Sequence, residues 1–419
     1  MGTMEETMKR IVILGAGTAG TIMASKLVRT LPMDDWTVTV VDQDDRHVYQ
    51  PGLLFVPFGV YTERALYKPR SRYIPPAATL VVGEIDVIEA ESNRVRLKTG
   101  MELPYDFLII ATGSRISPAD TEGLLGEGWQ ETAFDFYTPE GSLKLAEKLR
   151  GWKGGRLVIN LVEMPVKCPV APLEFAFLAD WYFATQGMRD KVEIVYATPL
   201  TGAFTKERTS AMLGDLLASK NIRVESQFAA SEVDGTKRVL RSWDEREIPY
   251  DLLVTIPTHR GSEAIERSGM GDELEFVPTD RHTLQSQAFE NIFVIGDATN
   301  LPSSKAGSVA HFQADILHEN ILRAIAGREL DPCFDGHSNC FIETGYEKAV
   351  LIDFNYDTEP LPGKYPLPGV GPLTLLGESS ANHWGKLAFR WVYWNLLLKG
   401  ADLSAIGPRM AMAGKGNGR

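Results

Sequence analysis

The chain has 419 residues, of which 44% are hydrophobic and 23% are charged. This composition is typical of a globular protein of two or three domains, and it excludes collagen-like, simple coiled-coil and disordered chains. Lys and Arg number 43 against 55 Asp and Glu, a net charge of −12 that argues against non-specific binding of nucleic acid. No apolar run reaches the ~18 residues that a membrane-spanning helix needs, and the N-terminus is not expected to be a secretory signal.

The first segment has the pattern of a dinucleotide-binding turn. Residues 10–14 are predicted as a buried strand, 15–20 as a glycine-rich turn and 21–29 as a helix. A second strand is predicted at 36–41, and the acidic residue Asp42 follows it directly. Gly15 permits the tight turn, Gly17 lets the backbone approach a pyrophosphate, and Gly20 allows the helix to pack closely on the strand. The helix N-terminus offers N–H groups to the phosphates, and Asp42 is placed to accept hydrogen bonds from a ribose.

Two later segments, residues 105–114 and 291–298, each indicate a strand that runs into a tight turn. The second is followed by Lys305-Ala306-Gly307 and by a helix predicted over 308–326. The motifs GAGTAG, IIATGS and FVIGDAT together resemble the FAD-binding domain of two-dinucleotide-domain flavoproteins, which include disulfide reductases, type II NADH dehydrogenases and sulfide:quinone oxidoreductases. The resemblance implies FAD, with Asp297 on its ribityl chain and the helix at Gly307 aimed at the flavin. It implies cofactor contacts from Gly15, Gly17, Gly20, Asp42, Thr112, Gly113, Gly296, Asp297, Lys305 and Gly307.

Residues 126–279 have the pattern of a second doubly wound unit, with strands at 154–161, 192–197 and 251–256 and a helix at 173–186. In related pyridine-nucleotide enzymes the first turn of this unit carries another glycine fingerprint. Here residues 162–172 contain three prolines and no glycine. Side chains and fixed φ angles would block the approach of a pyrophosphate, so we expect a nucleotide fold without its nucleotide and a donor other than NAD(P)H.

A cysteine occupies this loop instead. Cys168 lies beside Lys167, where a strand gives way to a helix, and this setting predicts a lowered thiol pKa. Glu174, in the first turns of the helix, could exchange protons with the thiol. A lone cysteine is more often buried and inert, but the loss of the glycine fingerprint favours a redox role here.

The other two cysteines, Cys333 and Cys340, flank His337. Zinc is an alternative for this group, although the ligand set is short, and we predict no metal. The segments VKCPVAPLEF and NCFIETGYEKAVLIDFNY resemble the redox cysteine sites of sulfide:quinone oxidoreductases and flavocytochrome c sulfide dehydrogenases. That resemblance implies that Cys168 and Cys340 meet over one face of the flavin. A third cysteine common in the family is absent from residues 130–137, and the role of Cys333 stays open.

The C-terminal region holds a proline- and glycine-rich segment at 359–372, predicted as a loop or edge segment, and a helix predicted over 381–400. Its apolar residues, including Trp384, Trp391 and Trp394, are expected to share one broad face, with basic residues elsewhere. A core or dimer-interface helix and a membrane-interface helix are both compatible with this pattern. The resemblance favours monotopic membrane binding and implies a quinone near Phe341, Trp391 and Trp394.

The predicted fold is α/β, with two Rossmann-like domains and a C-terminal membrane-interface region. We expect a discontinuous FAD-binding domain at 8–125 and 280–330, a degenerate second nucleotide-type domain at 126–279, and a C-terminal region at 331–419. The predicted function is oxidation of sulfide to zero-valent sulfur or polysulfide, with electrons passed to quinone, in a peripheral membrane protein that could be a homo-oligomer. Alternatives are a type II NADH:quinone oxidoreductase, a flavocytochrome c-type sulfide dehydrogenase subunit, and a flavin-binding scaffold or sensor.

Overall fold

The computed structural model describes residues 8–403 and 406–416. It is a mixed α/β fold in which parallel sheets are flanked by helices. The α-helices in chain order are α1 (Thr18–Thr30), α2 (Pro139–Gly151), α3 (Ala171–Thr185), α4 (Glu207–Ser219), α5 (Glu263–Ser268), α6 (Gly307–Ile325) and α7 (Ser380–Asn395). The predicted helices of the two doubly wound units are confirmed to within three residues at each end.

The first sheet has five parallel strands, as the Val- and Ile-rich runs predict. Its order is Ile292–Val294, Phe107–Ile110, Lys9–Leu14, Trp36–Asp42 and Thr79–Val82. Because the strands are parallel, all their carboxyl ends lie at one edge. The three glycine-bearing turns of the sequence and Asp42 therefore meet at that edge, which is where α/β sheets bind their ligands.

The second sheet is also five-stranded and parallel. Its order is Ala133–Phe134, Leu252–Ile256, Gly155–Leu161, Val192–Ala197 and Ile222–Glu225. The loop that carries Cys168 joins the strand Gly155–Leu161 to α3 at the carboxyl edge of this sheet. The predicted second Rossmann-like unit is confirmed as a fold; its bounds at 126–279 stay a prediction.

The third large sheet belongs to the C-terminal region and contains Cys340. It is built from Ser338–Gly345, Lys348–Phe354, Gly371–Leu375 and Gly363–Leu367, with Glu378–Ser379 paired to the second of these strands. The segment 359–372, predicted as a loop or edge segment, contributes the edge strand of this sheet, and residues 363–375 form a hairpin in which Pro366 lies opposite Pro372. Proline lacks an N–H for the sheet ladder, and an edge hairpin tolerates that loss.

Smaller antiparallel sheets complete the fold. They pair Arg46–Val48 with Tyr67–Pro69, Arg115–Ile116 with His259–Arg260, Ile85–Glu89 with Arg94–Leu97 and Glu102–Pro104, and Ala230–Asp234 with Val239–Ser242 and Glu247–Pro249. Short 3₁₀ turns lie at Gln50–Phe55, Glu63–Ala65, Arg70–Arg72, Ala90–Ser92, Pro118–Asp120, Arg189–Lys191, Gly296–Ala298 and Leu397–Lys399.

Helix α7 contacts the C-terminal sheet near its start, where Asn382 donates to the Ala349 carbonyl, and the core of the first sheet near its end. Its Trp394 is 3% exposed and packs among His47, Tyr73 and Tyr393, with ring centroids 5.1–5.2 Å apart. Trp391, in contrast, is 61% exposed. The prediction that the tryptophans share one face is therefore wrong, because the end of α7 is anchored against the first sheet's core. Among the described residues, no helix combines the length and apolar character needed to cross a membrane.

Candidate active site

The first glycine turn fits a dinucleotide. Gly15 has φ +101°, and a Cβ there would lie 2.3 Å from the Ala111 carbonyl oxygen; a Cβ on Gly20 would lie 1.8 Å from the Gly15 carbonyl oxygen. Both positions therefore require glycine for the turn itself. A Cβ on Gly17 would meet no protein atom within 4 Å, and no side chain caps the start of α1. The turn thus presents open space and free N–H groups where a pyrophosphate would lie.

Asp42 stands at the end of the second strand, as predicted, but it has a partner that the sequence did not indicate. Its Oδ2 accepts the Ala16 N–H at 2.7 Å and pairs with Arg70 Nη1 at 3.0 Å. Burial raises the pKa of Asp42, and the Arg70 charge opposes that shift. Arg70 also donates to the Ala16 carbonyl at 3.0 Å, so it fixes the glycine turn and the carboxylate together.

The other two turns leave polar groups without protein partners. The hydroxyls of Thr112 and Ser114 are buried and make no hydrogen bond, and a Cβ on Gly113 (φ +69°) would meet nothing within 4 Å. Gly296 has φ +71°, and the neighbouring Asp297 has a pKa raised by burial. Unpartnered hydroxyls and a carboxylate around open space are what the sugar and ribityl groups of FAD would satisfy. The residues of this edge fit that cofactor.

The turn that opens α6 is more tightly bound than predicted. The Lys305 ammonium donates to the carbonyls of Asp297 at 3.0 Å and Thr299 at 2.6 Å, and it lies 3.9 Å from the centre of the Phe276 ring. Burial lowers the pKa of Lys305 to about 8. Lys305 therefore holds its own turn together, and its contact with the cofactor stays a prediction. Gly307 begins α6 with no side-chain cap, which leaves that helix N-terminus free.

Cys168 is pinned to this same turn. Its N–H donates to the Lys305 carbonyl at 2.7 Å, and residues 167 and 305 form a parallel bridge. The cysteine has φ +45°, a left-handed conformation that is uncommon for a residue other than glycine. The Cys168 carbonyl accepts the Ala171 N–H at 2.8 Å and the Tyr137 hydroxyl at 3.3 Å.

Cys340 approaches the same turn from the C-terminal sheet. The Ser308 hydroxyl donates to the Asn339 carbonyl at 2.8 Å, and the Ser304 N–H donates to the Ser338 hydroxyl at 3.4 Å. Both thiols are free, and both contribute to one hydrophobic core. The structure thus brings Cys168 and Cys340, here called the cysteine pair, to the turn that starts α6, near enough that the charge of Cys168 acts on the Cys340 thiol. Cys333 belongs to a different core, and its His337 neighbour pairs with Asp353 at 2.7 Å. Within residues 8–403 and 406–416 no cluster of acidic, histidine or cysteine side chains is arranged to hold a metal ion.

The predicted lowering of the Cys168 pKa is wrong. Burial raises the pKa of Cys168 to about 12, and the Glu174 charge adds to that shift. Burial also raises the pKa of Cys340, with further contributions from Cys168 and Glu174. Lys167, expected to supply the opposing charge, instead directs its ammonium to the Ser114 carbonyl at 3.2 Å. The cation that favours both thiolates is Lys386.

Lys386 is one of the basic residues of α7, which were expected to lie away from its apolar face. Instead its ammonium enters the protein, pairs with Glu174 Oε1 and donates to the Phe341 carbonyl at 3.2 Å. The same Glu174 oxygen accepts the Glu343 N–H at 2.7 Å, and its other oxygen is buried without a partner. One carboxylate therefore joins α3, the strand that carries Cys340, and α7.

Two more ionisable groups extend this arrangement. Glu343 is buried, and both its oxygens lie 3.0 Å from Nδ1 of His383, the residue on α7 that precedes Trp384. We call Glu174, Glu343, Lys386 and His383 the α7 charge cluster. No local sequence pattern groups these four residues, because lysine and histidine on an amphipathic helix are usually solvated.

The predicted quinone residues do not form one wall. The Phe341 ring lies against Gly385 of α7, Trp391 is exposed at the surface, and Trp394 is buried beside His47. Roles of the individual residues toward a quinone stay predictions.

Comparison with known proteins agrees with the geometry. Residues 9–159 match the family model described as pyridine nucleotide-disulphide oxidoreductase. The mitochondrial sulfide:quinone oxidoreductase of Mus musculus is 27% identical over 93% of this chain and 86% of its own length. The Dictyostelium discoideum enzyme of the same name is 28% identical over 94% and 87%. The predicted resemblance to the sulfide:quinone oxidoreductases is confirmed.

The solved structures support the same fold. The X-ray structure of the sulfide:quinone oxidoreductase from Aquifex aeolicus superposes with a TM-score of 0.78 at 20% identity, covering 94% of this chain and 92% of that one. The two chains therefore share one fold over most of their length.

Proposed function

We propose that this protein is an FAD-dependent enzyme that oxidises sulfide to zero-valent sulfur and passes the electrons to a quinone. The relatives named for that activity cover most of the chain. The single observation that carries the sulfur chemistry is the attachment of both cysteine segments to the turn at residues 304–308, which opens the helix aimed at the flavin position.

The chemistry assigned to the cysteine pair balances without a further reactant. Hydrosulfide attacks an S–S bond between Cys168 and Cys340; one new S–S bond forms, the old one breaks, and the products are a persulfide and a thiolate. Bound FAD supplies the two-electron acceptor that returns the pair to the oxidised state and delivers those electrons to quinone. The chain's residues hold the two sulfurs and carry the charges, and zero-valent sulfur leaves.

Glu174 is the base that we assign to this site. Glu174 is fully buried, and its Oε2 atom has no hydrogen-bond partner among the residues that the structure describes. It is held in place by the Glu343 N–H and the Lys386 ammonium. A carboxylate fixed in this way can take the proton of an incoming sulfur species and return it as the sulfur product leaves.

The degenerate loop supports sulfide rather than NADH as the donor. Where a nicotinamide enzyme keeps glycines, this chain places the side chains of Val166 and Val170 in the core and Pro172 in the first turn of α3. The backbone is therefore covered at the position where a second pyrophosphate would need to approach it.

The attachment to a membrane surface is part of the proposal. Trp384 and Trp391 are 59% and 61% exposed, and they lie two turns apart on α7. The turn of the neighbouring hairpin exposes Leu367 and Val370, at 53% and 76%. Large exposed apolar side chains on adjacent elements suit an interfacial surface through which a lipid-dissolved quinone could enter.

Visible spectroscopy tests the proposal. Under anaerobic conditions, sulfide should bleach the flavin band of the purified holoenzyme, and a soluble ubiquinone analogue should restore it. NADH at micromolar concentration should leave the band unchanged. Bleaching by NADH and none by sulfide would overturn the assignment in favour of a type II NADH dehydrogenase; reduction by sulfide without turnover on quinone would favour a different acceptor.

A further inference from the structure

The α7 charge cluster contains one more carboxylate than lysine. Glu174 and Glu343 are both buried, whereas the side chains of Lys386 and His383 are 12% and 15% exposed. With a neutral imidazole the cluster carries one net negative charge, and with an imidazolium it carries none. Burial raises the pKa of Glu343, while Lys386 and His383 oppose that shift.

The cluster lies next to the sulfur chemistry. Glu343 follows Cys340 on the same strand, and its N–H binds Glu174, whose charge acts on both thiols. Opening an S–S bond with hydrosulfide creates a thiolate in this buried region, where an uncompensated charge is costly. A group that can gain a proton from solvent would remove that cost.

From this geometry we infer that Glu343 and His383 are positioning residues of the sulfur site, a pair that takes up one proton when a thiolate forms at the cysteine pair and releases it when the thiolate is consumed. The inference rests on the proposed function. The proton comes from water through the exposed edge of His383, stays on the imidazole beside the Glu343 carboxylate, and returns to water when the S–S bond re-forms. The electrons take no part in this step.

Several other ionisable groups face Glu343 and His383. Lys386 on α7 faces both carboxylates, Glu174 faces the pair from α3, and Tyr61 is near enough for Glu343 to raise its pKa. Glu378 binds the Thr344 hydroxyl at 2.5 Å on the next residue of the strand. Among the described groups around Glu343, the His383 imidazole is the one that both contacts the Glu343 carboxylate and is partly exposed to water.

Thiol alkylation tests the inference without using turnover. The FAD-loaded protein is reduced with a phosphine and desalted, and iodoacetamide labelling of each cysteine is followed at pH 8.5 by mass spectrometry. His383→Gln keeps a hydrogen bond to Glu343 but cannot take the proton, so labelling of Cys168 and Cys340 should slow by about three- to tenfold. Glu343→Gln removes a negative charge and should speed both by a similar factor.

The double variant Glu343→Gln/His383→Gln should return close to the wild-type rate, and Cys333 in the same samples should not change. Labelling rates that change in opposite directions in the two single variants and cancel in the double variant indicate an electrostatic effect. A loosened structure would instead raise the labelling rate in both single variants. Shifts of the same sign, or none, would overturn the inference while leaving the sulfide-bleaching test of the proposed function intact.

Proton uptake gives a second measurement. On anaerobic stopped-flow mixing with one equivalent of hydrosulfide in weakly buffered solution with an indicator dye, His383→Gln should take up about one proton fewer than wild type in the phase before the flavin band bleaches. His318→Gln, a substitution on α6 away from the cluster, is the matched control and should equal wild type. Equal uptake by all three proteins would overturn the inference.

Discussion

The backbone N–H of Cys168 donates a 2.7 Å hydrogen bond to the carbonyl of Lys305, although the two residues come from different sheets of the fold. The loop between the strand Gly155–Leu161 and α3 is thereby attached to the turn that begins α6. Cys340 reaches the same turn through Asn339 and Ser308. The geometry therefore joins three distant parts of the chain at one point.

Both cysteines of the pair should be required for sulfide oxidation. Cys168→Ser and Cys340→Ser should each abolish flavin bleaching by sulfide, because neither leaves an S–S bond for hydrosulfide to attack. FAD content should be retained, since neither cysteine belongs to the glycine turns of the first sheet. Cys333→Ser is the matched control and should behave as wild type. Full bleaching in either of the first two variants would remove that residue from the mechanism.

The reduced cysteine pair should ionise only at high pH. Because the folded pKa of Cys168 is raised to about 12, its thiol is protonated at neutral pH, and the thiolate fraction rises with pH. Alkylation of Cys168 should therefore accelerate about tenfold per pH unit between pH 7 and 10, without a plateau. An alkylation rate that levels off near pH 7 would instead mean that the pKa of Cys168 is lowered, as the sequence predicts.

The sequence predicts those parts of the fold and of the site that depend on short local motifs. The glycine turns, Asp42 and the parallel strands follow from short motifs whose geometry requires particular residues at fixed spacing. Lys386 and Trp394 could not be placed in this way. Both lie on an amphipathic helix, and whether such a side chain faces solvent or a core depends on distant elements, here Glu174 and His47, that only the folded chain brings near.

The glycines of the first turn should separate cofactor binding from folding. Gly17→Ala adds a Cβ that meets no protein atom, so the free energy of unfolding of the apoprotein should stay within about 0.5 kcal/mol of wild type while FAD content falls. Gly20→Ala would place its Cβ 1.8 Å from the Gly15 carbonyl oxygen and should fail to fold stably. Normal FAD content in purified Gly17→Ala would contradict the assigned pyrophosphate position.

The buried pair of Glu174 and Lys386 should show strong coupling. Lys386→Met leaves the Glu174 charge without its cation and should lower the free energy of unfolding by about 3–5 kcal/mol in urea denaturation. Adding Glu174→Gln removes the stranded charge but keeps an oxygen for the Glu343 N–H, so the double variant should recover more than half of the loss. Additive losses in the double variant would mean that the two side chains do not interact as described.

The tryptophans of α7 should divide by exposure. The double substitution Trp384→Ser/Trp391→Ser should weaken co-sedimentation with phospholipid vesicles and leave the melting temperature near wild type, because both side chains are largely exposed. Trp394→Ala should leave a cavity beside His47 and Tyr73 and cost about 3–5 kcal/mol of stability. Deleting the whole helix would not test membrane binding cleanly, since Lys386 and Trp394 would be lost with it. Unchanged vesicle binding by the double variant would mean that Trp384 and Trp391 do not contact the membrane.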